Sequence, residues 1–157
     1  MDRAMTAEKP SSRIAPARRG DFRFFTELQT RWSDNDMFGH LNNVTYYRFF
    51  EAVVVDFFLR EMRVDLFKGD TVPFAAESTC RFRKALSWPQ AVEGAFRVEH
   101  MGTSSVRYGL ALFAKGEEEA AADGHWVHVF VDRETQRPVP IPDEVRATFA
   151  RFAGVER

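Results

Sequence analysis

One stretch of this chain concentrates residue types that could do chemistry: Ser33-Asp34-Asn35-Asp36-Met37-Phe38-Gly39-His40-Leu41-Asn42-Asn43. It carries two carboxylates and an imidazole among turn-forming residues, and it stands directly before an apolar run with helical spacing. A carboxylate just ahead of a buried helix can be positioned beside that helix's free N–H groups. Those N–H groups can hold an oxygen that becomes negative during acyl transfer. The carboxylate can then attack the carbonyl carbon or activate a water. A thiol leaving group, with a pKa of about 8.5 in a cysteine-like case, needs no strong general acid. One acid and one helix terminus therefore make a sufficient minimal site for a thioester. A phosphate ester or an amide would demand further machinery, and no Gly-rich phosphate loop or nucleophile-elbow serine is present.

The elements around this stretch follow from periodicity. Residues 22 to 32 alternate, with Phe24, Thr26, Leu28, Thr30 and Trp32 on one face, which predicts a strand. From about Val44 to Met62 the pattern is helical, with Asn42 or Asn43 as the cap. Tyr46, Phe49, Phe50, Val53, Val54, Phe57 and Phe58 cover so much of that helix that burial on most sides is expected. Four further strands are predicted over Val72 to Leu86, Ala91 to Met101, Ser104 to Ala114 and Gly124 to Asp132, separated by short turns and by an acidic tip at Gly116 to Gly124. Short links imply antiparallel neighbours. A last helix is expected from near Pro142 to about Phe152. One strongly curved antiparallel sheet wrapped around a single apolar helix satisfies this order, and its uncovered edge predicts self-association.

The segment from Arg31 to Glu51 resembles the 4-hydroxybenzoyl-CoA thioesterase and acyl-CoA thioesterase group of the hotdog superfamily. The shared pattern is an acidic residue, two spacers, Gly39-His40, an aliphatic residue, Asn42-Asn43, then Tyr46 and Glu51 on the helix. A weaker likeness spans roughly residues 22 to 150. The resemblance implies an α+β hotdog fold: about five curved antiparallel strands around one long central helix, plus a short C-terminal helix. It also implies a thioester hydrolase working at a subunit interface. The family's catalytic acid falls on Asp36, as general base or nucleophile, and its carbonyl-polarising main-chain N–H falls on or near Asn43. His40 could bond Asp36 or the thioester region, or simply orient the loop. Gly39 would let the backbone turn or approach the ligand. Asp34 is expected to stabilise the loop, and Tyr46 and Glu51 to contact substrate or only to pack. Plant acyl-carrier-protein thioesterases share a similar segment but place Asn two residues after the acid. Phe38 stands there in this chain, which favours CoA esters.

The remaining signals are secondary to that segment. Arg81, Arg83, Lys84 and Arg107 could meet the phosphates of coenzyme A, and the Thr103-Ser104-Ser105 turn could offer backbone N–H groups to the same ligand. His125 and His128 lie three apart on a strand and face opposite sides, so no shared metal is expected. Cys80, the only cysteine, reads as a small packing residue and excludes an intrachain disulfide. The net charge of −1, from 22 basic and 23 acidic residues, argues against a dedicated nucleic-acid binder. The most apolar run is interrupted by Arg48, Glu51 and Asp56, so no membrane span is expected. The 16 Phe residues predict a large filled interior or an apolar groove. Residues 1 to 20 read as a flexible tail and 21 to 157 as one hotdog domain, cytoplasmic, a homodimer or a dimer of dimers. No cofactor is called for, because CoA is part of the substrate. Two rival functions use the same fold: a non-catalytic acyl-thioester binder, and a hydratase or dehydratase.

Overall fold

A computed structural model describes residues 14–154. Five strands form one antiparallel sheet: β1 (Phe24–Leu28), β2 (Thr71–Phe82), β3 (Val92–Met101), β4 (Ser105–Ala114) and β5 (Ala122–Asp132), in the order β1-β3-β4-β5-β2. Helix α1 (Asn43–Glu61) links the two edge strands, so its connection must cross the full width of the sheet. A short helix, α2 (Asp143–Ala150), follows β5 with Pro142 at its N-cap. This is the hotdog arrangement. No helix among the described residues is long and apolar enough to cross a membrane.

The core forms where α1 lies on the concave face. Phe50, Val53 and Phe57 are fully buried against Phe96, Leu110, Leu112 and Phe130. The Phe57 and Phe96 rings stack with centroids 4.0 Å apart, and Phe149 of α2 closes the same cluster. Much of the Phe content therefore fills the interior. A smaller cluster of Phe22, Ala95, Ala111, Phe113 and Ala120 lies apart from it and packs with Ala17 and Phe25.

Several expectations shift here. Helix α1 is buried along one face only: Val44, Tyr47 and Leu59 are exposed. The buried pairs recur every four residues, at 45/46, 49/50, 53/54 and 57/58, which is a stripe, not a fully enclosed rod. Strand β1 stops at Leu28, because a 3-10 turn at Trp32–Asp34 is drawn in by Asp34 accepting from the Arg31 amide. Strand β2 ends at Phe82, four residues before the expected Leu86, and β5 begins two residues early at Ala122. Residues 17–20, assigned to a tail, pack on the domain: the Ala17 amide donates to Asp123, and Arg19 pairs with Glu93 at 3.0 Å. Residues 14–16 of the assigned tail carry no regular structure, and residues 1–13 lie outside the described residues, as do residues 155–157.

Candidate active site

The loop between β1 and α1 is built on Asp34. Its side chain is 2% exposed and pairs with the guanidiniums of Arg31 and Arg48, while also accepting from the Arg31 amide at 2.8 Å. Burial pushes the Asp34 carboxyl up, but the hydrogen bonds from Arg48 and Arg31 and their charges outweigh it and hold the carboxyl below its ordinary value. The Asp34 carbonyl accepts from the Asn42 amide, and Leu41 donates to the Leu86 carbonyl. Both ends of the loop are thus pinned, and Asp34 is structural, as expected.

Asp36 sits inside this frame. Its amide donates to the His40 carbonyl at 2.8 Å, and its carbonyl accepts from Gly39 at 3.1 Å. Gly39 makes that turn with φ +82°, and a Cβ there would meet nothing within 4 Å, so glycine serves backbone conformation and not close approach. Asp36 Oδ1 accepts from the Phe38 amide at 2.8 Å, and its other oxygen has no partner among the described residues. At the start of α1, Asn42 caps the Val44 amide at 2.9 Å and its carbonyl accepts from Thr45. The Asn43 amide finds no acceptor among the described residues. It is one of the first-turn donors a helix leaves open, at the positive end of the helix dipole.

A cleft of about 340 Å³ joins these groups, lined by Asp36, His40, Asn43, Tyr46, Phe82 and Lys84 among others. Tyr46 is buried; its hydroxyl accepts from the Leu86 amide at 3.2 Å and its ring meets Phe82 edge-on at 5.0 Å. Burial pushes the Tyr46 phenol up from its ordinary value. The His40 ring lines the cleft without a hydrogen-bond partner among the described residues. Arg83 also reaches the cleft, but its guanidinium is engaged by Asp123 at 3.3 Å, whereas exposed Lys84 has no ion-pair partner among the described residues.

Other candidates lie elsewhere in the chain. Thr103, Ser104 and Ser105 sit at the opposite end of β4: Ser105 pairs with Val129, while Leu112 pairs with Ala122, the partner of Phe82. Seven residues of strand, on the order of 24 Å, separate them from the Asp36 cleft. Their carbonyls are tied down there, Thr103 accepting from Ile141 and Ser104 from Phe130. Glu51 is exposed and borders a second, apolar cleft of about 370 Å³, between α1 and β2, with Phe58, Phe74, Trp126 and His128. Arg81 pairs with Asp123 and Arg107 with Glu99. His125 contacts Glu77 and Arg107, whereas His128 meets the buried Tyr108, which puts the two histidines on opposite sheet faces. Cys80 packs against the core, and burial pushes its thiol up to about 12.

Sequence reasoning missed Arg48, Phe82 and the wall formed by Trp126 and His128. Arg48 could have been sought as the counter-ion of a buried Asp34. The others come together only when β2 and β5 pair.

Comparisons with known proteins agree with this fold. The chain matches the thioesterase-like superfamily over residues 30–149. It is 29% identical over 130 residues to the uncharacterized protein YsmA of Bacillus subtilis, covering 81% of this chain and 85% of YsmA. The crystal structure of the PA5185 protein of Pseudomonas aeruginosa superposes with a TM-score of 0.86 at 40% identity, covering 92% of this chain and 100% of that one. A thioesterase from Thermus thermophilus, crystallised with coenzyme A and Zn, gives a TM-score of 0.70 at 26% identity, covering 82% and 98%.

Proposed function

We propose that this chain, which belongs to the thioesterase-like superfamily, hydrolyses an acyl-CoA to the free acid and coenzyme A, with Asp36 as the working carboxylate. The observation that carries this reading is one cleft holding both the half-buried Asp36 and the first residue of α1, whose amide is open. The thioester oxygen would accept from the Asn43 N–H, where the helix dipole favours the charge that builds up on it. The free Asp36 oxygen would take a proton from water as that water attacks the carbonyl carbon. Alternatively it would attack directly, forming a mixed anhydride that water opens. In either route the C–S bond breaks and its electron pair leaves with sulfur.

Lys84, exposed at the cleft edge, suits a phosphate of the nucleotide. The coenzyme A bound to the Thermus thermophilus thioesterase supports a CoA ester as substrate. The exposed side chains of Met37, Phe38 and Phe82 beside the cleft, with the unpaired edge of β2, support a homodimer that completes the groove.

The test is release of free thiol from a panel of acyl-CoAs by the wild type, Asp36→Asn and Asp36→Ala. Wild-type turnover with a loss of about 100-fold or more in both variants is expected. Undiminished turnover in the two variants removes Asp36 from the mechanism. Acyl-CoA binding without any thiol release by the wild type would identify a non-catalytic binder instead.

A further inference from the structure

We propose that Arg48 is a positioning residue for the hydrolysis: through its ion pair with Asp34 it fixes where the Asp36 carboxylate stands relative to the Asn43 amide. This role rests on the thioesterase reading and adds to it a residue outside the reacting groups.

Asp36 and Asn43 belong to opposite arms of one small hairpin. The first arm is Asp34-Asn35-Asp36. The second is His40-Leu41-Asn42, which runs straight into α1. Three rungs join the arms: Asn42 donates to the Asp34 carbonyl at 2.8 Å, Asn35 bridges Leu41, and Asp36 donates to the His40 carbonyl at 2.8 Å. The second arm is continuous with Asn43, so the chain itself sets its place on the helix. The first arm carries Asp36 and hangs on the second by these rungs.

Side chains add further ties to the first arm. Asn35 accepts from the Trp88 amide at 2.9 Å, which binds it to the segment after β2. Asp34 pairs with Arg31 and with Arg48. Arg31 lies three residues back on the same stretch, so its bond holds nothing to the helix. Arg48 stands five residues into α1 from Asn43, about 7.5 Å along the axis. Among the described residues no other side chain of α1 bonds to this arm.

The Asp34 carboxylate is buried and the Arg48 guanidinium is half exposed. A charge-assisted bond from a planar fork to a buried acceptor has a narrow geometry. Acyl transfer depends on such narrowness, since a misplacement of about 1 Å between reacting groups can cost about 100-fold in rate. Without Arg48, Asp34 keeps the Arg31 amide and guanidinium, so the loop still folds. The arm bearing Asp36 then loses its side-chain tie to the helix that offers the amide.

The experiment takes the acyl-CoA that the wild type hydrolyses fastest and compares kcat and KM for the wild type, Arg48→Met and Arg48→Lys. Calorimetry with the CoA alkyl thioether of the same chain length, which has no carbonyl and cannot be hydrolysed, reads binding apart from chemistry. Arg48→Met is expected to lower kcat by about 10- to 100-fold, with KM and thioether affinity within roughly twofold of the wild type. Arg48→Lys, which keeps the charge, is expected to recover most of the loss. In an Asp34→Asn background, Arg48→Met should lower kcat no further, because the two residues act as one unit. An unchanged kcat, additive losses in the double variant, or a weakened thioether affinity that puts Arg48 on the substrate itself overturns the inference. So does an Arg48→Met chain that cannot fold, which would assign the pair to stability alone. A wild type that releases no thiol from any acyl-CoA removes hydrolysis and this role with it. Wild-type turnover that Arg48→Met leaves intact sinks the role alone.

Discussion

Asp34 and Asp36 are two residues apart and do opposite work. Asp34 turns inward to two arginines, so its carboxylate is committed to holding the loop, while Asp36, which lines the cleft, keeps one oxygen without a partner among the described residues. Asp34→Asn should therefore destabilise the fold by about 1–2 kcal/mol, because the buried carboxylate loses its charge-assisted bonds from Arg48 and Arg31, whose side chains are half exposed and can be solvated; denaturant titration reads this directly. Linkage predicts acid sensitivity in two separate windows. His128 has a folded pKa of about 4 against 6.5 for the free side chain. The unfolded chain binds that proton first, so stability is full above about 6.5 and falls as pH drops towards 4, by up to about 3 kcal/mol. Asp34 is also depressed, so its contribution is present above the ordinary carboxylate value and is lost only below it. Denaturation midpoints against pH should show a first decline that His128→Phe removes and a later one that Asp34→Asn removes.

At the scale of elements, α1 does two jobs: it fills the concave face of the sheet, and it places Asn43, whose amide has no acceptor among the described residues, at the border of the cleft. Asn42 holds that end in register by capping Val44. Asn42→Ala should cost about 1 kcal/mol of stability, and it should also lower turnover at pH 7 if the Asn43 amide is the oxyanion donor. The helix also seats closely on Gly94 in β3, where an added Cβ would lie 2.2 Å from Val53 Cγ2. Gly94→Ala forces the helix off the sheet, with an expected loss of about 1–3 kcal/mol by thermal or chemical unfolding. A variant as stable as the wild type would show that the helix has slack at that point.

For the whole molecule the unfinished surface is the β2 edge. Residues Phe74 to Ser78 are exposed in the single chain, and Met37 and Phe38 project fully from the adjoining loop. A long unpaired strand beside apolar side chains is a template for a second copy. Light scattering should give the mass of a dimer or a multiple of it. Ala76→Lys adds a charge to an exposed edge position, and in an isolated chain it would be close to neutral. In a symmetric dimer paired along this edge it sets like charges near one another, so a shift towards monomer with loss of turnover is expected. A wild type that runs as a monomer would overturn this assembly.

Much of this was legible in the residues themselves. The helical spacing of α1, the period-two strands and the turn chemistry around Gly39 are local consequences of backbone geometry, and they determined the order and type of the elements, whereas the burial of α1 along one face only was decided by how it seats on the sheet. The density of the Asp36 to Asn43 pattern marked the loop, since its parts are adjacent in sequence. Local pattern could not say that β2 would cross to the far edge beside β5, because strand order depends on which faces bury together. That pairing alone puts Phe82 beside Tyr46, sets Ala75 opposite His128, and leaves the Thr103–Ser105 turn remote from Asp36. The alternation of β1 also ran on in sequence past Leu28, where the pull of Asp34 on the Arg31 amide turned the chain away. Contacts within a few residues follow from the order of side chains. Those between distant segments follow from the burial of a shared core, and only the folded chain decides them.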